Sequence, residues 1–342
     1  MIVLLIALYL LIAIVGFARK KHNGLFLLFG IFLFLIAVFG SRHSVDYENY
    51  LKMFNIIDEL TIHSIEPSFI FITNLIKFLF DNALFLFVVY ALLGVFLTCK
   101  AIKNLSEFWF LSLLIYLSHF FLLQEMTQIR VGVACGFMLL AIKPVYERDF
   151  KRFLCYTLLA VLFHYSAILF FFLWFLPVHN ISRKFYALLI PAAYLLYSFG
   201  ISFVSLAELV SSPIPILKDR ILSYRIYMEQ ENLPINVFNV VQLIRCAFVF
   251  LLLWKYPLLK QHNKYVPILL QLYVLSVVAL VVFADLPIFA FRISELIGVV
   301  EIILIPCVYY LLRPKQVAVA LISLLGFGTL LLNLFHNKLI IV

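Results

Sequence analysis

The sequence is short of charge. Only 13% of its 342 residues are Asp, Glu, Lys or Arg, against roughly 25% in soluble domains. A water-soluble globule is excluded, and so is a charge-rich disordered chain. Five cysteines (Cys99, Cys135, Cys155, Cys246 and Cys307) lie in or beside apolar runs, and none has metal-ligand spacing. A disulfide scaffold is excluded as well. There is no Asp-x-Asp pair, no His-x-x-x-His and no acidic triplet, so the sequence calls for no metal and no cofactor. The apolar stretch 2–17 has no basic run ahead of it and no small-residue cleavage site behind it, which reads as a first span rather than a signal peptide.

What is abundant is hydrocarbon. The chain is 65% hydrophobic with a mean hydropathy of +1.12, enough at about 20 residues per span for about 11 crossings. Apolar runs predict spans near 2–17, 24–39, 83–99, 108–123, 130–142, 185–205, 237–256, 266–284, 288–312 and 316–335. The fold class is therefore an all-α polytopic membrane protein of about 11–12 helices, one transmembrane domain over 1–342. Lys and Arg exceed Asp and Glu by 26 to 17. In such a chain the excess marks cytoplasmic connections, not a nucleic-acid surface. The basic positions are Arg19 to Lys21, Lys100 and Lys103, 143–152, Arg183 and Lys184, Lys255 to Lys264, and Arg313 with Lys315. They place two long segments outside, 41–82 and 207–236. Arg152 and Arg183 share a side only if 153–177 crosses an even number of times. That predicts a hairpin of two short helices, possible as a re-entrant loop, turning near His164. Within 41–82, Phe54, Ile57, Leu60 and then Phe69, Ile72, Leu75, Ile76 and Leu79 recur at helical spacing, the pattern of amphipathic helices at the outer interface.

Ionisable residues at membrane depth cost about 2.5–3.5 kcal/mol each on insertion scales and are functional candidates by default. Arg130 follows Gln124, Glu125 and Gln128 and precedes a run of small residues from Gly132 to Gly136. Its planar fork suits a diphosphate, aided by a helix N-terminus; an interfacial arginine snorkelling to headgroups is the alternative. His164 lies between Phe163 and Tyr165. A neutral imidazole there can take a proton from a hydroxyl or bond across helices. Arg292 and Glu295, three apart, share a helix face and can neutralise one another. Arg42, His43, Asp46, Tyr47 and Tyr50 form an external cluster, followed by Glu66-Pro67.

In their order, Arg42…Asp46-Tyr47-x-x-Tyr50-x-x-x-Phe54, Glu66-Pro67, Gln128-Ile-Arg130-x-Gly132-x-Ala134 and Phe163-His164-x-Ser166 resemble the EpsG family of bacterial exopolysaccharide and O-antigen assembly, akin to Wzy polymerases. The resemblance implies glycosyl transfer at the outer face of the cytoplasmic (inner) membrane. A glycan on undecaprenyl diphosphate would move onto an acceptor repeat unit carried by the same lipid. The implied partners are this lipid-linked oligosaccharide, membrane lipids and a chain-length regulator protein, with no nucleic acid. His164, Asp46 and Glu66 are the catalytic candidates, His164 preferred as base. Arg130, Arg292, Arg42 and Arg220 are the diphosphate candidates, because fixed cations stabilise such a leaving group. Gln128, Glu125, Tyr47, Tyr50 and Glu295 are the substrate-binding candidates. A flippase for the same lipid-linked sugars and a membrane acyltransferase are the rival readings.

Overall fold

The computed structural model describes residues 1–18, 21–60, 65–201 and 235–340. The described residues are 82% helical, with no strand among them; a lone antiparallel bridge joins Ser44 to Ile340. Among the described residues, five helices are long and apolar enough to cross a bilayer: Asn23–His43, Leu84–Leu105, Trp109–Thr127, Ile129–Glu147 and Lys315–His336. Val240–Trp254 with Tyr256–His262, bent by 74° at their junction, makes a sixth if the pair is one span. Ile2–Ala18, Pro67–Leu79, Tyr165–Phe175 and Val266–Val282 are apolar but shorter. The stretch 288–312, expected as one span, divides into Pro287–Gly298, Glu301–Leu304 and a 3-10 turn Ile305–Tyr310. Pro306, which has no N–H to give an α-helical ladder, sits in that last piece.

Two compact units result, Met1–Leu176 with Glu301–Val342, and Pro177–Val300. The helices of the first unit that matter below are α1 (Ile2–Ala18), α2 (Asn23–Gly40), α3 (Tyr47–Asn55), α4 (Pro67–Leu79), α5 (Leu84–Leu105), α6 (Trp109–Thr127), α7 (Ile129–Glu147) and α8 (Phe150–Phe163).

Glycine lets α5 and α7 approach closely. A Cβ added at Gly136 would strike the Leu97 side chain at 2.7 Å; Gly132 and Gly136, four apart, form the small-residue seam by which membrane helices pack. The expected amphipathic helix at Phe69–Leu79 is α4, which buries Phe69, Thr73 and Ile76. The predicted hairpin is present. α8 stops at Phe163, His164 adopts extended backbone (φ −155°, ψ 118°), and a 3-10 helix runs back over Tyr165–Phe175. Its two ends meet: Arg148 donates to the carbonyls of Trp174 and Leu176, and the Phe153 and Trp174 rings stack at 5.3 Å.

The first unit is polarised in charge. Lys103 bonds Asn23 at 3.2 Å and lies over the Trp109 ring, so the start of α2, the end of α5 and the start of α6 share one end. Lys143, Arg148, Lys151 and Arg152, at the α7–α8 connection, fall at that end by alternation of short-connected helices. The opposite end holds the segment after α2, the α6–α7 corner and the turn at His164. Arg19 and Lys20 lie outside the described residues, as does most of 207–236 including Arg220.

Candidate functional site

Three side chains from distant parts of the sequence converge at the less basic end. Glu66 is the N-cap of α4, its backbone extended ahead of Pro67 at the first helical position, where a missing N–H costs nothing. Its carboxylate does not cap the helix and turns outward to other elements instead. One oxygen, Oε2, accepts from Nη1 of Arg130. The other, Oε1, lies 2.9 Å from His164 Nδ1. Arg130 comes from the first turn of α7, just after the sharp corner at Gln128 (φ −97°, ψ 60°). His164 comes from the break in the hairpin. The neighbouring Tyr165 hydroxyl donates to the Ile65 carbonyl at 3.2 Å, pinning the Glu66 segment to the hairpin turn.

Aromatic rings wall the charge. The Arg130 guanidinium carbon lies 5.8 Å from the Tyr50 ring centre and 5.5 Å from that of Phe69, within cation–π range. Glu66 is sealed, with 6% of its side chain exposed, while 16% of His164 and 23% of Arg130 reach the surface. A molecule arriving from outside therefore meets the imidazole and the guanidinium, and the carboxylate stands behind both. Burial alone raises the Glu66 carboxyl, but the His164 hydrogen bond and the Arg130 charge outweigh it and hold the group below its ordinary 4.5. An ionised Glu66 only accepts hydrogen bonds, so His164 Nδ1 is the donor, and in a neutral imidazole this leaves the lone pair on Nε2. A carboxylate fixing an imidazole in this tautomer is how hydrolase triads prepare a base.

The other sequence candidates are placed as follows. Asp46 is the N-cap of α3, bonded by Asn49 at 3.5 Å. Tyr47 stacks on Phe87 at 5.0 Å, so its ring is committed to packing. Tyr50 joins the site through Arg130. Arg42 is exposed on the 3-10 turn Ser41–His43, at the same end. Gln128, half-buried, forms the corner itself. Glu125 is 1% exposed, deep between helices; its Oε1 accepts from the Tyr116 hydroxyl at 2.8 Å. Arg292 and Glu295 belong to the second unit, Arg292 exposed and Glu295 half-buried with Arg245 and Arg292 as charged neighbours. There Arg245 donates to Ser276 at 2.7 Å and to Ser294 at 3.2 Å. Arg220 lies outside the described residues. No group of three His, Cys, Asp or Glu that can hold a metal occurs among the described residues.

Sequence reasoning ranked Glu66 third among catalytic candidates, yet it is the hub. The available signal was the Glu-Pro pair, which reads as a helix start with its acid at the cap. Phe69 was missed as a site residue. Its helical spacing marked it only as one position of an apolar face.

These features define a class: a multi-pass helical membrane protein with a charged His–Glu–Arg cluster at one end of its spans. The chain belongs to the EpsG family, whose model matches residues 25–339. No curated protein and no solved structure matches it.

Proposed function

We propose that this protein is a polymerase of lipid-linked oligosaccharide repeat units, working at the outer face of the bacterial cytoplasmic membrane. Family membership supports a polysaccharide role, and the charge asymmetry of the first unit supports an outward-facing site. The observation that carries the reading is the Glu66–His164 contact with Arg130 on the other carboxylate oxygen, a prepared base where a membrane-borne hydroxyl can reach it.

In the reaction, His164 Nε2 accepts the proton of an acceptor sugar hydroxyl as its oxygen attacks the anomeric carbon of the donor glycan. The bond from that carbon to the diphosphate oxygen breaks, the glycosidic bond forms, and undecaprenyl diphosphate departs with the bonding electrons. Glu66 holds Nδ1–H and stabilises the imidazolium. Arg130 keeps Glu66 ionised and in place, and its exposed edge faces the departing anion. Arg42, at the same end, is a second cation for that charge. Asp46 and Gln128 serve sugar hydroxyls.

The test is reconstitution. The purified protein in liposomes, given undecaprenyl-diphosphate-linked repeat units, should convert them to a ladder of longer glycans. Lipid-linked units that stay single under those conditions would refute the reading. Transfer of units across the bilayer without elongation would favour a flippase.

A further inference from the structure

The second half of α6, Tyr116–Thr127, is wound as a π-helix of 12 residues. Wide i→i+5 winding is rare and is frequently found at functional sites. Its last rung is the Gln128 amide donating to the Leu123 carbonyl at 2.7 Å, and the chain turns there into α7 and Arg130. Tyr116 and Glu125, joined by a 2.8 Å hydrogen bond, are 9 residues apart. At roughly 80° per residue, nine π residues make about two full turns, whereas nine α residues make about two and a half. The two side chains share a face only in the π winding. On an α-helix they stand on opposite faces.

The far side of the carboxyl is equally constrained. Glu125 Oε2 has no hydrogen-bond partner. It rests on Gly94 of α5 and Gly132 of α7, where an added Cβ would collide with it, at Gly132 at 2.8 Å. A Cβ at Gly132 would also meet the Gln124 carbonyl at 2.7 Å. An unpartnered buried polar atom is costly, and this one is held in the middle of the α5–α6–α7 packing.

We propose that Tyr116 and Glu125 are positioning residues that lock α6 in its π register and thereby aim Arg130 at Glu66. The inference rests on the polymerase reading for its functional consequence, but not for the lock itself. If the pair is broken, α6 relaxes toward α winding. Over twelve residues the difference in twist, about 20° each, accumulates to roughly 240°, so the Gln128 corner cannot keep its orientation.

The experiment is hydrogen exchange on full-length protein in detergent micelles or nanodiscs, followed over peptides spanning 122–132, alongside glycan chain length in cells. Tyr116→Phe, which removes only the hydroxyl, should speed exchange there by roughly 3- to 10-fold and shorten the glycan. Glu125→Gln keeps an acceptor for Tyr116 and should keep wild-type exchange, whereas Glu125→Leu should behave like Tyr116→Phe. Adding Tyr116→Phe to Glu125→Leu should bring no further increase, as expected for one shared contact. Unchanged exchange in both Tyr116→Phe and Glu125→Leu overturns the lock. Faster exchange with normal glycan length overturns the positioning role, provided Arg130→Ala abolishes long chains. If Arg130→Ala also leaves long chains, it is the polymerase site that fails, and the exchange data alone then decide the lock.

Discussion

Two carboxylates of the first unit, Glu66 and Glu125, are almost equally buried, at 5% and 1% exposure, and are treated in opposite ways. Glu66 meets a guanidinium and an imidazole. Glu125 meets one phenol and two glycines. A buried anion must be paired to be tolerated, so Glu66 is built as a charge and Glu125 as a shape with one hydrogen bond. The contrast separates where chemistry is placed from what holds it there. Glu66 faces the two cationic or titratable groups that reach the surface, and Glu125 sits inside the helix seam that sets their geometry.

The comparison breaks most sharply if Glu66 loses its cation. Arg130→Ala leaves a sealed carboxylate beside His164 alone. It should cost about 3 kcal/mol, the low edge for a broken buried pair because Arg130 is 23% exposed, and should abolish long glycans; chemical denaturation and glycan length check the two halves. Next, His164→Ala should reduce chain growth about 10²- to 10⁴-fold, the usual contribution of a general base, with a smaller effect on stability than Arg130→Ala. On the other side of the comparison, Gly94→Ala drives a methyl into the Glu125 carboxyl and should cost about 1–3 kcal/mol of overpacking. Glu125→Ala added to it should restore part of the loss, which thermal melting of single and double variants will show. The smallest effect is on pH. Folding lowers the Glu66 carboxyl, so its contribution is complete above the ordinary 4.5 and fades as pH falls through the lower folded value. Wild type should lose stability in that acid range, and Glu66→Gln should show a shallower loss.

Much of this was legible in the sequence. Basic residues on both flanks of 153–177 called for an even number of crossings, a topological constraint that needs no coordinates, and the polar His164 and Ser166 in the middle of the run marked where the hairpin turns. Arg130 and His164 stood out because ionisable groups are rare in apolar runs. Their junction through Glu66 was hidden, since Glu66 is 64 residues from Arg130 and 98 from His164 and nothing local relates them. Helix type was hidden too. Hydropathy reports that 116–127 and 165–175 are apolar but is silent on whether the backbone bonds to the third, fourth or fifth residue. The placing of Glu125 depends wholly on that difference. Composition therefore finds the residues that are expensive to bury, while winding and long-range pairing decide which of them work together.

The most direct test of the central claim, that Glu66, His164 and Arg130 form one active site, is the glycan length on the lipid carrier in cells carrying His164→Ala at wild-type membrane levels. The account predicts single repeat units with no ladder above them. A full-length ladder from that variant would contradict it.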